Sequence, residues 1–396
     1  MRQLYVSVER RYKLFADKYY VQGIENVSFF ERYLDCFDCV KVIARVEAVE
    51  YLPENHELFE HDNIKIQPIL TTGTGLSSFS GINRIASLIA AGNSFVILRT
   101  PGILAYILSL VFIVRSINFS IEVVTNPVQE TNHLTNNLLL KAVFRIIFIN
   151  IFKLQLRKAQ FASFVTMFEI QQVFLSNKQI CSERYDSNYS SVSLTHENYA
   201  DEELLNTRIN RNSESDNKTL LFMGVLDRDF KGLDVFLKLM AELPKTYNAI
   251  VVGDGVLLPH YKMMARELEI SSRIDFRGYI SSPEKKKEIM AEADFFILTS
   301  RREGLPRVVI EAMASGLPCL CSAVSGVREL VDEKYIFAVN DFKQAKQILT
   351  NISNAEYEEM SKKNHALSYE YNYSKLSEKR KSFYLKVISS ENTTFK

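Results

Sequence analysis

An excess of either charge is the first thing this chain lacks. Its 48 Lys and Arg balance 47 Asp and Glu, a formal net charge of +1, so nothing suggests bulk nucleic-acid binding. Cysteine is scarce. Five residues, an odd number at irregular spacing, exclude a disulfide scaffold and point to a reducing compartment. Cys36 and Cys39 have CxxC spacing, but no second pair or His cluster accompanies them, and core packing outweighs zinc or redox chemistry as their reading.

Long apolar runs are also missing. The most apolar stretch, 103–114, has 12 residues between Arg99 and Arg115. A membrane-spanning helix needs ~20, so a buried helix is expected there and no membrane span anywhere. No signal peptide is expected, because Arg10, Arg11 and Lys13 interrupt any apolar region near the start. His56, His61, His133 and His196 are scattered without metal-ligand spacing, and surface or acceptor-loop positions are expected for them. Gly73 and Gly75 lack the third glycine and the leading strand of a dinucleotide fingerprint, so they read as turns, as does Thr100-Pro101.

What is present is enough chain for two domains: 396 residues, 47% hydrophobic and 24% charged. The C-terminal half alternates expected strands (219–224, 249–253, 274–278, 295–299, 318–323) with expected helices (233–243, 258–268, 284–291, 307–314, 327–331). Such alternation implies a parallel sheet covered on both faces, with ligands beyond the strand C-termini. The N-terminal half fits a second sheet of this kind, with strands at 4–8, 39–45, 64–69, 94–98 and 120–124. Residues 206–217 are polar, rich in Asn and Ser, and read as a linker and hinge. The expected division is 1–205, 206–217, 218–370 and a C-terminal helix over 371–396.

One segment carries most of the chemistry. After the apolar strand run at 295–298, the chain turns at Glu303-Gly304 and enters a helix with Pro306 near its first position; Gly316 and Pro318 end it. Free amides at Gly304 and Leu305, with the positive end of the helix dipole, suit a phosphate. Glu303 and Glu311 suit sugar hydroxyls. By themselves the two carboxylates could equally be a cap and a solvated side chain.

Glu303-Gly304-Leu305-Pro306 followed by Glu311, eight positions after Glu303, resembles the E-x7-E signature of retaining GT-B glycosyltransferases, closest to glycosyltransferase family 4. The resemblance extends from about Thr219 to Phe337 and thins before that. It implies two Rossmann-like domains facing across a cleft, with the last helix crossing back onto the N-terminal one. It also implies a nucleotide-diphosphate sugar as donor substrate, of UDP or GDP type, and no cofactor. Metal-independent departure of the diphosphate is expected, with retention through front-face attack guided by the leaving phosphate. Lys231 would grip the diphosphate, Glu311 the ribose, and Glu303 with the Gly304–Leu305 amides the sugar and phosphate; Glu303, Lys231 and Glu311 are the expected catalytic set.

Around them, Gly224 and Arg228 lie in the loop after the first C-terminal strand, Gly253 and Gly255 in the glycine turn after the second, and Arg277, Gly278 and Tyr279 where the family reads the base. Val225 stands where the family usually has Arg, and Arg228 is the candidate to replace it. The family's N-terminal Gly-rich loop is absent: Val8-Glu9-Arg10-Arg11-Tyr12 stands there, with Arg10 and Arg11 either touching phosphate or acceptor or simply solvated. Acceptor-side candidates are Arg10, Arg99, Glu122, Thr125 and Asn126, the last where many members place a His.

Residues 138–168 combine apolar side chains with Lys141, Arg145, Lys153, Arg157 and Lys158. This is either a helix lying on an anionic bilayer or a core helix pair with a positive outer face. The resemblance favours the bilayer, because similar enzymes use lipid-linked acceptors. A cytoplasmic chain, peripheral on the plasma membrane, is expected. Surface polysaccharide or glycolipid synthesis is the expected setting, with a saccharide or lipid-linked acceptor. The rivals are a GT-B scaffold that has lost catalysis and serves as a binding subunit, or another GT-B enzyme such as a phosphorylase or epimerase.

Overall fold

The computed structural model describes residues 1–52, 56–70, 79–131 and 137–389. Gly73, Gly75 and His133 lie outside them. The chain forms two compact units, one holding Met1–Val165, Gln171–Tyr189 and Glu378–Lys396, the other Thr166–Ile170 and Ser190–Ser377.

Among the described residues the first unit has nine strands: β1 (Gln3–Phe15), β2 (Lys18–Val21), β3 (Cys39–Ala48), β4 (Glu57–Leu58), β5 (Ile64–Leu70), β6 (Ser94–Thr100), β7 (Ser120–Val123), β8 (Ala162–Phe164) and β9 (Ser187–Asn188). β5, β3, β1, β6, β7, β8 and β9 lie side by side and parallel, while β2 and β4 add antiparallel pairing. Leu4 to Val8 and Phe95 to Thr100 are buried without a break, as strands covered on both faces must be. A loop was expected at 8–12. Instead β1 continues, because Arg11 to Leu14 pair with Arg45 to Ala48 beyond a register shift. All five cysteines are free thiols, and Cys36 and Cys39 are buried.

The second unit carries β10 (Lys218–Met223), β11 (Tyr247–Val252), β12 (Ile274–Gly278), β13 (Phe295–Leu298), β14 (Cys319–Ser322) and β15 (Ile336–Phe337). All are parallel in the order β12-β11-β10-β13-β14-β15. The order reverses between β10 and β13, and a ligand crevice opens at such a point. β15 went unforeseen, since two residues carry no periodicity.

Three other expectations fail, each for a physical reason. The polar stretch 206–217 is no linker: most of it forms the helix Glu202–Glu214, capped by the Asp201 side chain on the Leu204 amide. Its buried face works through hydrogen bonds. Arg208 is 1% exposed and donates to the carbonyls of Ser315 and Met290, and burial pulls its pKa down to about 10. Arg211 donates to Asp294 at 2.8 Å.

The helix expected at 327–331 is a 3-10 turn, Val327–Glu329. Glu329 accepts the amides of Met167, Phe168 and Glu169 at 2.7, 2.8 and 2.7 Å, and Glu169 accepts the Gly326 amide at 2.7 Å. That exchange binds Thr166–Ile170 into the second unit. The basic stretch 138–168 is helical only over Leu138–Lys158, after which Ala162–Phe164 enters the sheet as β8. The last helix, Tyr373–Ser389, belongs to the first unit from Glu378 onward. There Tyr384 stacks on Tyr33 with ring centroids 5.0 Å apart.

Candidate functional site

The loop after β10 and the loop after β13 meet where the strand order reverses. Gly224 directly follows β10, and the stem of Lys231 packs into the space a Gly224 side chain would fill. Gly253, at φ +149°, lies so close to the Gly224 carbonyl that no Cβ fits. Lys231 ends a 3-10 turn, Asp229–Lys231, whose carbonyls tie to the other loop: Thr299 Oγ1 donates to the Lys231 carbonyl at 3.1 Å and the Arg301 amide to that of Phe230 at 2.6 Å. Arg301 Nη2 also bonds Asp234 at 2.7 Å. The two loops therefore form one rigid floor.

On that floor Lys231 Nζ lies 2.6 Å from Glu303 Oε1, which also accepts from Ser300 Oγ at 2.7 Å. The helix Arg307–Ala314 follows Pro306 and carries Glu311. Gly224, Lys231, Gly253, Tyr279, Glu303, Leu305 and Glu311 all line one cavity of about 260 Å³. Among the described residues, the amides of Gly304 and Leu305 make no hydrogen bond. A cation, two carboxylates, the open Leu305 amide with that of Gly304 next to it, and an exposed Tyr279 suit a phosphorylated, hydroxyl-rich ligand with a flat ring.

Several expected members are elsewhere. Arg228 does not line the cavity, and its guanidinium lies 5.5 Å from the Phe230 ring centroid. Arg277 pairs with Asp275 at 2.8 Å and Glu292 at 2.6 Å and lines a different cavity. Gly255 and Gly278, both at positive φ, with Gly304 and Pro306, shape the backbone without lining the cavity. Sequence reasoning missed Asp254, Ile280, Lys286 and Arg307, which do line it. The spacing of Arg307, four residues from each Glu, could have flagged it. Lys286 sits in a run of three Lys that reads as a solvated face.

The acceptor-side candidates fare differently. Glu122, 3% exposed, accepts from Tyr33 at 2.9 Å and Tyr189 at 2.8 Å, and Arg99 Nε lies 3.3 Å from it. Arg99 also pairs with Glu25, as does Arg10 at 3.6 Å. Burial pulls the Arg99 pKa down, but the carboxylates of Glu25 and Glu122 more than reverse this and hold it raised. These groups hold one another inside the first unit. The Asn126 side chain accepts the Val128 amide at 2.9 Å and starts the helix Pro127–Thr131; Thr125 beside it is half-buried. In place of a Gly-rich loop, Glu9 accepts the amides of Leu104 and Ala105 at 2.8 and 3.2 Å, and burial pushes its carboxyl pKa up. Among the described residues, no group of three or more His, Cys, Asp or Glu could hold a metal ion.

Two Rossmann-like units with a last helix shared between them define the GT-B fold. Solved structures agree. Sucrose-phosphate synthase from Thermosynechococcus elongatus matches at TM-score 0.67 and 14% identity, over 98% of this chain and 100% of that one. HepE from Anabaena, solved with UDP and glucose, matches at TM-score 0.62 and 14% identity, over 98% and 100%. Residues 206–371, which contain the whole cavity, match the family described as glycosyl transferases group 1. An uncharacterized glycosyltransferase of Haemophilus influenzae is 34% identical over 181 residues, 43% of this chain and only 50% of its own length. Protein CapJ of Staphylococcus aureus is 25% identical over 360 residues, 87% of this chain and 85% of its own.

Proposed function

We propose that the chain is a retaining glycosyltransferase. It moves a sugar from a nucleoside diphosphate, of UDP or GDP type, to a saccharide or lipid-linked acceptor in surface polysaccharide or glycolipid synthesis. One observation carries this reading: Lys231 from the loop after β10, and Glu303 and Glu311 from the loop after β13 and the helix that follows it, converge on a single cavity at the strand-order reversal. Glu311 accepts the ribose hydroxyls and Glu303 those of the sugar. Lys231 and the Gly304–Leu305 amides meet the charge that grows on the leaving diphosphate, where preorganised donors stabilise a transition state most. HepE, solved with UDP and glucose, supports the donor class.

Calorimetric titration with UDP, GDP and ADP tests the donor site. One nucleotide is expected to bind, and Glu311→Ala to weaken it by about 10–100-fold, the worth of a charge-assisted hydrogen bond or two. Binding of none of the three would sink the transferase and leave a scaffold that has lost catalysis, for which Val225 is the argument.

The acceptor reading includes a membrane surface. No helix among the described residues is long and apolar enough to cross a bilayer. Yet the helix Leu138–Lys158 leaves Leu138 and Leu139 each 80% exposed and Ile146 63%, beside Lys141 and Arg145. Apolar side chains standing in water next to cations suit an anionic interface, where each Lys or Arg contributes about 1 kcal/mol. The chain is expected to sediment with phosphatidylglycerol vesicles and not with phosphatidylcholine ones, and Leu139→Glu/Ile146→Glu to abolish this. Sedimentation with neither lipid removes the membrane from the reading, and equal sedimentation with both removes the role of the cations.

A further inference from the structure

The cavity is short of cations where a diphosphate would lie. Position 225 carries a Val, 58% exposed, which offers no charge. Lys231 is already held by Glu303 at 2.6 Å, and Arg228 is not in the cavity. Two other cations are. Lys286, on the helix Pro283–Glu292, and Arg307, the first residue of Arg307–Ala314, both line it. Neither side chain is committed to an ion pair or hydrogen bond among the described residues.

Their placement is specific. Arg307 lies midway between the two carboxylates in sequence, one helical turn before Glu311 and on the same face. Arg307 and Glu311 make no ion pair, in keeping with the weaker Arg-first order at this spacing, which leaves the guanidinium available between the ribose anchor and the sugar anchor. Lys286 enters the same cavity from the helix that follows β12. With Lys231 paired to Glu303 in the empty site, Lys286 and Arg307 are the uncommitted positive charges of this cavity and would add to Lys231 around a dianionic group.

We propose that Lys286 and Arg307 bind the diphosphate of the donor nucleotide, supplying from two helices the charge that position 225 lacks. This rests on the donor-site reading above. A planar guanidinium can take two phosphate oxygens at once, whereas the Lys ammonium acts as a point charge. Nucleotide affinity should therefore depend on both and fall with salt, since neither group is deeply buried.

The test is calorimetric titration of the best-binding of UDP, GDP and ADP into the full chain and the double variant Lys286→Ala/Arg307→Ala, at low and high NaCl. The double variant is expected to bind about 10–100-fold more weakly at low salt, with a flatter salt dependence than the parent. Lys286→Arg/Arg307→Lys is expected to bind more tightly than the double Ala variant and to keep the parent's salt dependence, since it retains both charges but moves the two-oxygen fork from position 307. Parent-like affinity in the double variant, or weaker binding with an unchanged salt dependence, overturns the proposal. If Lys231→Ala weakens binding while the double variant does not, this inference alone falls. If the parent binds no nucleotide, it falls together with the donor site.

Discussion

Lys231→Ala is expected to lower kcat/KM for the donor by about 10²–10³-fold, the usual loss when one preorganised donor to a developing oxyanion is removed. The loss should fall mainly on kcat, because the charge Lys231 meets grows as the diphosphate leaves. Its ground-state partner in the empty site is Glu303, at 2.6 Å. On the proposed donor reading, a bound diphosphate would compete with that carboxylate and free Glu303 for the sugar. On that reading, removing Lys231 deletes one of the cations facing the phosphate, while Ser300 still donates to the same Glu303 oxygen.

Stability should hardly change. The Lys231 side chain is 27% exposed, and pairs with that much solvent access contribute about 0–1 kcal/mol. Nucleotide release measured at saturating and limiting donor, beside a thermal melt, separates the cases. Unchanged turnover would remove Lys231 from the mechanism, and a large fall in melting temperature would make the loss a folding effect.

The second large effect lies in the first unit. Glu122→Ala is expected to destabilise it by about 3–5 kcal/mol, because breaking a buried charge network strands its partners. Glu122 takes hydrogen bonds from Tyr33 and Tyr189 and lies beside Arg99, itself only 9% exposed. Without the carboxylate, Arg99 keeps Glu25 as its ion-pair partner among the described residues, and two buried hydroxyls lose their acceptor. Tyr33 also stacks on Tyr384, so the damage reaches the C-terminal helix.

For a unit of this size the loss corresponds to a fall in melting temperature on the order of 10 °C. Replacing both charges, Glu122→Leu/Arg99→Met, is expected to recover part of it, since an apolar pair has no stranded ion. Calorimetry on the two variants decides. A Glu122→Ala chain melting like the parent would return Glu122 to the ligand-binding candidates.

Arg99 and Glu122 show where a sequence stops being informative. Both stand at the ends of buried strands, where ligand-binding residues also stand, and no local pattern separates the two roles. The separation came from Tyr33, Tyr189 and Glu25, which are remote in the chain and arrive only on folding. Residues 206–217 misled for a related reason. Their polar composition reads as solvated linker, but Arg208 finds the carbonyls of Ser315 and Met290, distant acceptors that no window of sequence contains.

What the chain determined locally was the strand and helix alternation of its second unit from β10 to the helix Arg307–Ala314. Buried strand runs, helix starts and stops, and the four-residue spacing that sets Glu303, Arg307 and Glu311 along one segment all arise from short-range sterics and periodicity. Tertiary structure decided which charges meet. It carried Lys231 onto Glu303 and kept Arg228 and Arg277 out of the cavity. It also brought Lys286 in from another helix, because the crossing order of β10 and β13, not neighbourhood in sequence, sets which loops share a crevice.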